Sequence, residues 1–217
     1  GEVVPREAFE LEGAEVEYFP GFLSESEAAE IFAELSRMSS WQRRPIRVRD
    51  RETRESKEVP EGRPTVSFST PPGMRYRYSG SWREAEAFPE VVLEVKRRVE
   101  QLLAPRFEAW ASRSGQALCF NYCLANKYET GLQAVGKHAD DEKGILRRSP
   151  IAAVSLGAAR DFVLEAKMDP EVSLKIRLES GSVVVMSGHT QENFVHCITK
   201  DKRVKEPRIS LTFRIMA

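Results

Sequence analysis

The half of the chain after residue 117 restricts the fold most, because it is a succession of short β-rich runs cut by turn residues. The segments 151–156, 162–165, 174–178, 182–186 and 208–216 are rich in apolar and β-branched residues and are separated by Gly, Asp, Pro or Ser. Strands this short and this numerous bury their apolar faces only by closing on one another, so the spacing predicts an antiparallel sandwich or jelly roll. Two helices precede them. Ser24 with Glu27 fits a capping box, and Ala28, Ile31, Phe32 and Leu35 follow at helical spacing. A second helix is expected to start near Pro89, with Val91, Val92, Val95, Val99, Leu102 and Leu103 on its apolar side. The predicted class is therefore α+β, with an antiparallel sandwich or jelly roll as the core. Between the helices, residues 43–62 are dense in charge and poor in apolar residues, and read as an exposed loop or lid.

The chemistry concentrates in the strand-rich half. His138-Ala139-Asp140 in an extended segment points an imidazole and a carboxylate to the same side. With one further histidine they would form the two-His, one-carboxylate set that holds a non-haem iron by one face. Two candidates exist for that histidine. His189 sits in the turn-like Ser187-Gly188-His189-Thr190, and His196 in the more strand-like Asn193-Phe194-Val195-His196. Spacing favours His196 and leaves His189 open. The last strand alternates strictly: Ile209, Leu211, Phe213 and Ile215 on one face, Arg208, Ser210, Thr212 and Arg214 on the other. Two guanidinium groups on one face suit a carboxylate-bearing co-substrate, gripped by paired hydrogen bonds.

Composition bounds the alternatives. A chain of 217 residues has room for one domain. Hydrophobic residues at 41% and charged residues at 30% fit a globular chain, and no apolar run approaches the roughly 20 residues of a membrane span. The expectation is a monomer without membrane association. The 33 Lys and Arg balance the 33 Asp and Glu, which counts against a chain that does nothing but bind nucleic acid, although a local basic stripe is compatible with a zero total. Cys119, Cys123 and Cys197 lack paired zinc spacing and read as buried free thiols of a reducing, intracellular compartment.

Taken in order, Asn126-x-Tyr128, His138-x-Asp140-Asp141-Glu142, His196 and Arg208-x5-Arg214 resemble the AlkB family of iron(II) and 2-oxoglutarate dioxygenases, closest to the branch that repairs alkylated DNA. The segments around Tyr18–Phe22, Ser149-Pro150-Ile151-Ala152 and Arg160-Asp161-Phe162 share the likeness. The resemblance implies a double-stranded β-helix over a single domain, 1–217, with helices and a substrate lid in 15–116 and the catalytic jelly roll in 117–217. It implies iron(II) on His138, Asp140 and His196, and 2-oxoglutarate on Asn126, Tyr128, Arg208, Thr212 and Arg214. By the same token Tyr76, Tyr78 and Asp141 would meet the substrate base, with Tyr78 stacking on it. The implied reaction consumes O2 and 2-oxoglutarate, removes a methyl group of the N1-methyladenine or N3-methylcytosine type from DNA or RNA, and releases succinate, CO2 and formaldehyde. A protein or small-molecule hydroxylase would keep the same iron and co-substrate residues, and a non-catalytic nucleic-acid-binding module is the alternative of another class.

The chain departs from the family in its lid. Members of this branch carry Pro-Arg ahead of Tyr-Gly, where this sequence reads Arg63-Pro64-Thr65-Val66-Ser67-Phe68-Ser69-Thr70. No apolar wedge is visible in 43–62 to hold a duplex open, so single strands are the expected substrate, with basic residues such as Arg49 gripping phosphates.

Overall fold

A computed structural model describes residues 4–49, 55–78, 81–114 and 119–217, with backbone alone at 48, 49, 76–78, 81, 113 and 114. The elements in chain order are β1 (Glu7–Leu11), β2 (Ala14–Phe19), α1 (Glu25–Ser36), β3 (Pro45–Arg49), β4 (Ser56–Pro60), β5 (Thr65–Ser69), β6 (Arg75–Tyr78), β7 (Ser81–Glu84), β8 (Glu86–Ala87), α2 (Glu90–Leu102) and α3 (Ala104–Ser114). There follow β9 (Tyr122–Tyr128), β10 (Val135–His138), β11 (Ile151–Gly157), β12 (Arg160–Ala166), β13 (Ser173–Leu178), β14 (Val183–Ser187), α4 (Thr190–Asn193), β15 (Phe194–Ile198) and β16 (Arg208–Arg214).

A major sheet runs β1-β2-β14-β11-β16-β9-β5-β8 and a minor sheet runs β10-β15-β12-β13. They face one another as the expected jelly roll. Between them lies an apolar layer with Tyr18, Tyr128, Val184 and Met186 from the major sheet and Phe162, Leu164, Ile176 and Phe194 from the minor. The major sheet's other face is covered by the helices. Ala28 and Leu35 of α1, Val92, Val95 and Val99 of α2 and Phe107 of α3 pack against Ile209, Leu211 and Phe213. Strand β16 is thus buried on both faces along its whole length, as expected of a strand covered by helices on one side and a second sheet on the other.

The helix starts follow the sequence. Ser24 Oγ accepts from the Glu27 amide at 3.3 Å, and Glu27 Oε2 accepts from the Ser24 amide at 2.8 Å, closing the capping box at α1. Pro89 is the N-cap of α2. Helix α3, which the periodicity did not reveal, begins immediately after α2 with Pro105 in its first turn, where the missing N–H costs nothing.

Strands also arise before residue 117. The β1–β2 hairpin adds an edge to the major sheet and turns on Glu12-Gly13, where Gly13 takes a φ of 80°. Its Glu-rich strands have little intrinsic β-preference and are held by pairing of β2 to β14. Residues 43–62 are corrected from a loop to a hairpin: β3 pairs with β4, Ile46 opposite Val59 and Arg47 opposite Glu58. Most of its described side chains remain exposed. Just past the hairpin, Glu61 and Arg83 form an ion pair in which both side chains are buried, and Thr65 Oγ1 donates to Glu61 (3.0 Å) while accepting from Arg83 (2.9 Å). This fastens the outlying β6–β7 hairpin to the sheet. Cys123 and Cys197 are buried as expected, whereas Cys119 is exposed. Among the described residues no helix is long and apolar enough to cross a membrane.

Candidate metal and co-substrate site

Strand β10 ends at His138, which lies directly opposite His196 of β15 in the antiparallel register. The pairing brings the two rings to a centroid distance of 4.3 Å. Asp140 is two residues beyond His138, and its Oδ1 is 3.7 Å from His138 Nε2. One ligand atom from each of His138, Asp140 and His196 falls within 4.8 Å of the others, a spacing that a single metal ion can bridge.

Each group is prepared for that role. His138 Nδ1 lies 2.8 Å from the Gly136 carbonyl, which fixes the proton there and leaves the Nε2 lone pair free. Burial holds the His196 imidazole well below its ordinary value, at about 3, so it is neutral at pH 7. Phe162 stacks on the same ring. Burial would push the Asp140 carboxyl up, but the Arg214 guanidinium outweighs it, helped by His196 and His138, and holds the carboxyl at about 2. The Asp140 amide donates to Gln191 Oε1 at 2.8 Å, pinning the backbone of the turn. His189 is elsewhere: it is exposed and its Nδ1 lies 2.8 Å from Glu192.

Behind the three ligands lies an inter-sheet cavity of about 60 Å3, room for several waters or one small polar molecule. Asn126, Tyr128, Arg208, Thr212 and Arg214 all line it, together with the three ligands. Alternation in β16 puts its polar residues on this side, so the face opposite the helices is a lined cavity and not a solvated surface. Arg208 is buried, donates to Ser155 Oγ at 2.8 Å, and lies over the Tyr128 ring at 5.2 Å. Burial pulls its pKa down, Tyr128 opposing. Two further guanidinium groups approach the same ring at 5.5 Å, Arg63 and Arg160. Arg160 is occupied by backbone carbonyls, the shortest contact being 2.6 Å to Thr199. Arg63 donates to Asn126 Oδ1 at 2.7 Å.

Arg63 is the residue sequence reasoning missed, having been weighed only as part of a misplaced lid motif; it is buried and lines the cavity. Ser155, Gln191 and Phe162 were likewise missed as supports, since nothing in a Ser, Gln or Phe of a β-rich run announces such a contact. Asp141 does not line the cavity; its side chain is exposed, 3.8 Å from Lys167. The side chains of Tyr76 and Tyr78 lie outside the described residues, although their backbone forms β6. A larger concavity of about 940 Å3 lies between β1, β2 and α3. It contains none of the three clustered ligands.

The chain matches the 2OG-Fe(II) oxygenase superfamily over residues 15–214. It belongs to that family. Iron(II), 2-oxoglutarate and O2 are accordingly its cofactor and co-substrates. The residues present fit them: among the described residues His196 Nδ1 and Arg208 Nε and Nη1 are buried without a hydrogen-bond partner at the cavity, a cost of about 1–3 kcal/mol per group that a bound partner removes. The AlkB likeness seen in the motifs is matched by relatives. The chain is 33% identical over 150 residues to the mouse (Mus musculus) DNA oxidative demethylase ALKBH2, covering 65% of this chain and 57% of that protein. It is 31% identical over 204 residues to the bovine (Bos taurus) alpha-ketoglutarate-dependent dioxygenase alkB homolog 3, covering 90% of this chain and 64% of that protein. The chain therefore spans less than two thirds of the length of these curated relatives. The solved structure of OsALKBH1 shares the fold, with a TM-score of 0.66 at 17% identity over 97% of this chain and all of that one.

Proposed function

We propose that this chain is an oxidative dealkylase of methylated nucleic-acid bases, of the N1-methyladenine or N3-methylcytosine type. The observation that carries the reading is the placement of three converging candidate ligand atoms at one end of a buried cavity and, within it, the buried Arg208 guanidinium, whose Nε and Nη1 have no hydrogen-bond partner. The relatives named above supply the substrate class.

His138, Asp140 and His196 would hold iron(II) by one face, the His196 imidazole already neutral and the Asp140 carboxylate already ionised before binding. Arg208 would take the far carboxylate of 2-oxoglutarate in a charge-assisted contact inside the cavity. Tyr128, Asn126 and Thr212, which line the same cavity, would orient that carboxylate. Arg214, bonded to both oxygens of Asp140, would hold that carboxylate in place for the metal. When bound, iron(II), 2-oxoglutarate and O2 together supply oxidation of an N-methyl group, with succinate and CO2 released and formaldehyde lost from the hydroxylated methyl. The inter-sheet apolar layer excludes bulk water from the metal side of the cavity. Tyr76, Tyr78 and Asp141 are proposed to meet the base, on resemblance alone.

Single strands are the proposed preference. Extruding a base from a duplex costs a few kcal/mol, and the hairpin that replaces the expected lid carries Asp50-Arg51-Glu52-Thr53-Arg54 in sequence between β3 and β4, a polar stretch unsuited to wedging a stack. The test is succinate and formaldehyde release with matched single- and double-stranded oligonucleotides carrying one methylated base. Coupled release that is faster on the single strand is expected. Duplex preference would refute the strand argument. Release stimulated by peptides and not by oligonucleotides would assign the site to another hydroxylase.

A further inference from the structure

Among the described residues, Trp82 is the large aromatic side chain left mostly outside the fold, 58% exposed, while Trp41 and Trp110 are half-buried. It stands on β7, and the Arg75 guanidinium of β6 lies over its ring at 5.2 Å. Neighbouring residues of a strand alternate between faces. Next to Trp82, Arg83 is buried against Glu61 and Thr65. One face of the hairpin is therefore fastened to the sheet, and the other presents an aromatic ring backed by a cation. The fastening is short: Thr65 pairs with Asn126 across β5 and β9, and Asn126 lines the co-substrate cavity. The hairpin that carries the exposed Trp82 ring is thus tied to a strand that borders the cavity.

We infer that Trp82 and Arg75 form a stacking platform for an unmodified nucleotide of a single-stranded nucleic acid, next to the base being oxidised. The inference rests on the proposed nucleic-acid substrate and adds a second point of contact to it. An exposed ring accepts any base by stacking, and the guanidinium lying over the ring meets the adjoining phosphate. The surroundings are mixed in charge. Glu84 lies opposite Arg75 in the ladder, and β3 beside β7 carries an exposed Arg47 paired with Glu58. The cation stacked on the ring thus selects the anion, and no broad basic field does. Because Trp82 covers no core residue, its replacement leaves the fold in place.

The experiment is anisotropy titration of a labelled, unmethylated single strand with the full chain and with W82A, W82F and R75Q, across salt concentrations, alongside thermal melting. W82A is expected to weaken binding about tenfold at an unchanged melting temperature, which is the loss of one base stack. W82F should restore most of the affinity. R75Q should flatten the salt dependence, whereas W82A should leave its slope unchanged. Equal affinity in W82A and the parent chain overturns the platform, whether or not methylated strands are demethylated. Binding that depends on Trp82, with no formaldehyde released from a methylated strand, overturns the proposed reaction and keeps the platform. Absence of strand binding by the parent chain overturns the platform.

Discussion

Arg214 lays its guanidinium across both oxygens of Asp140, with Nη2 2.9 Å from Oδ1 and from Oδ2 and Nε 3.2 Å from Oδ2. The two residues come from opposite sides of the cavity, Arg214 from the end of β16 in the major sheet and Asp140 from the turn after β10 in the minor. The contact sets both the charge and the direction of a candidate metal ligand. Arg214→Gln keeps a donor and removes the charge. Metal affinity is expected to fall about 10- to 100-fold, the usual effect of removing a group that orients a ligand. Cobalt(II) titration followed by absorbance measures it; an unchanged affinity would show that Asp140 needs no such support.

His138→Ala should abolish metal binding and turnover with a small change in melting temperature, because the half-buried ring lies at the edge of the site. Asp140→Ala should remove the same activity but also destabilise the fold by about 3–5 kcal/mol, because a buried Arg214 loses its carboxylate. His189→Ala, at an exposed position paired with Glu192, should leave metal binding intact. Loss of metal in the His189 variant with retention in His196→Ala would reverse the assignment. Equilibrium metal titration beside urea unfolding separates the binding effects from the stability effects.

The metal-free protein should lose stability as pH falls from about 6.5. His196 stays neutral in the folded chain down to about 3, whereas an unfolded histidine takes up its proton near 6.5. Between those values the unfolded state binds the extra proton, so stability falls with falling pH, by at most about 1.4 kcal/mol per pH unit from this group. Asp140, with its folded value lowered to about 2, adds a loss of the same sign in more acid solution. Urea midpoints at pH 7 and pH 5 test this: the drop should be smaller in His196→Asn. A midpoint that rises toward pH 5 would contradict it.

The jelly roll and the candidate metal cluster were legible because each rests on a local pattern. In β16, alternation alone separated the helix-facing Ile209, Leu211 and Phe213 from the cavity-facing Arg208, Ser210, Thr212 and Arg214. His138 and Asp140 are two apart, a spacing that sequence preserves. What distinguished His196 from His189 was a cross-strand register, β10 on β15, which no local pattern encodes; the family resemblance stood in for it. The same limit hid Arg63, which becomes a cavity residue only because β5 pairs with β9 and carries the segment before it to Asn126. The β3–β4 hairpin escaped because its strands hold few apolar residues, and pairing supplies what propensity does not.

Glu61 and Arg83 make the lid side of the molecule sensitive to a change remote from the metal. Glu61→Gln keeps the shape and removes the carboxylate charge that faces the Arg83 guanidinium, in a site where both partners are 2% exposed. The expected cost is about 3 kcal/mol or more, read as a lowered urea midpoint. Replacing both partners together, Glu61→Leu with Arg83→Met, should recover much of it, since the isolated charge is the main cost. No loss in the single variant would mean that water already reaches the pair.

Arg208 and Arg214 share one strand face but should fail differently. Arg208 donates to Ser155 and stacks on Tyr128, with no contact to Asp140, so its loss should spare the metal. Arg208→Lys keeps a positive charge and gives up the planar fork and the stack. The 2-oxoglutarate requirement is expected to rise at least about tenfold, with cobalt(II) affinity within about twofold of the parent chain, a charge-assisted fork being worth roughly 1.5–3 kcal/mol. Tyr128→Phe should be milder, because the ring that supports Arg208 remains and only the hydroxyl is lost. Calorimetric titration of 2-oxoglutarate into manganese-loaded protein gives the co-substrate term separately from turnover. If Arg208→Lys weakened metal and spared the co-substrate while Arg214→Gln weakened the co-substrate and spared the metal, the two arginines would have the opposite roles: Arg214 would face the co-substrate and Arg208 would support the metal side.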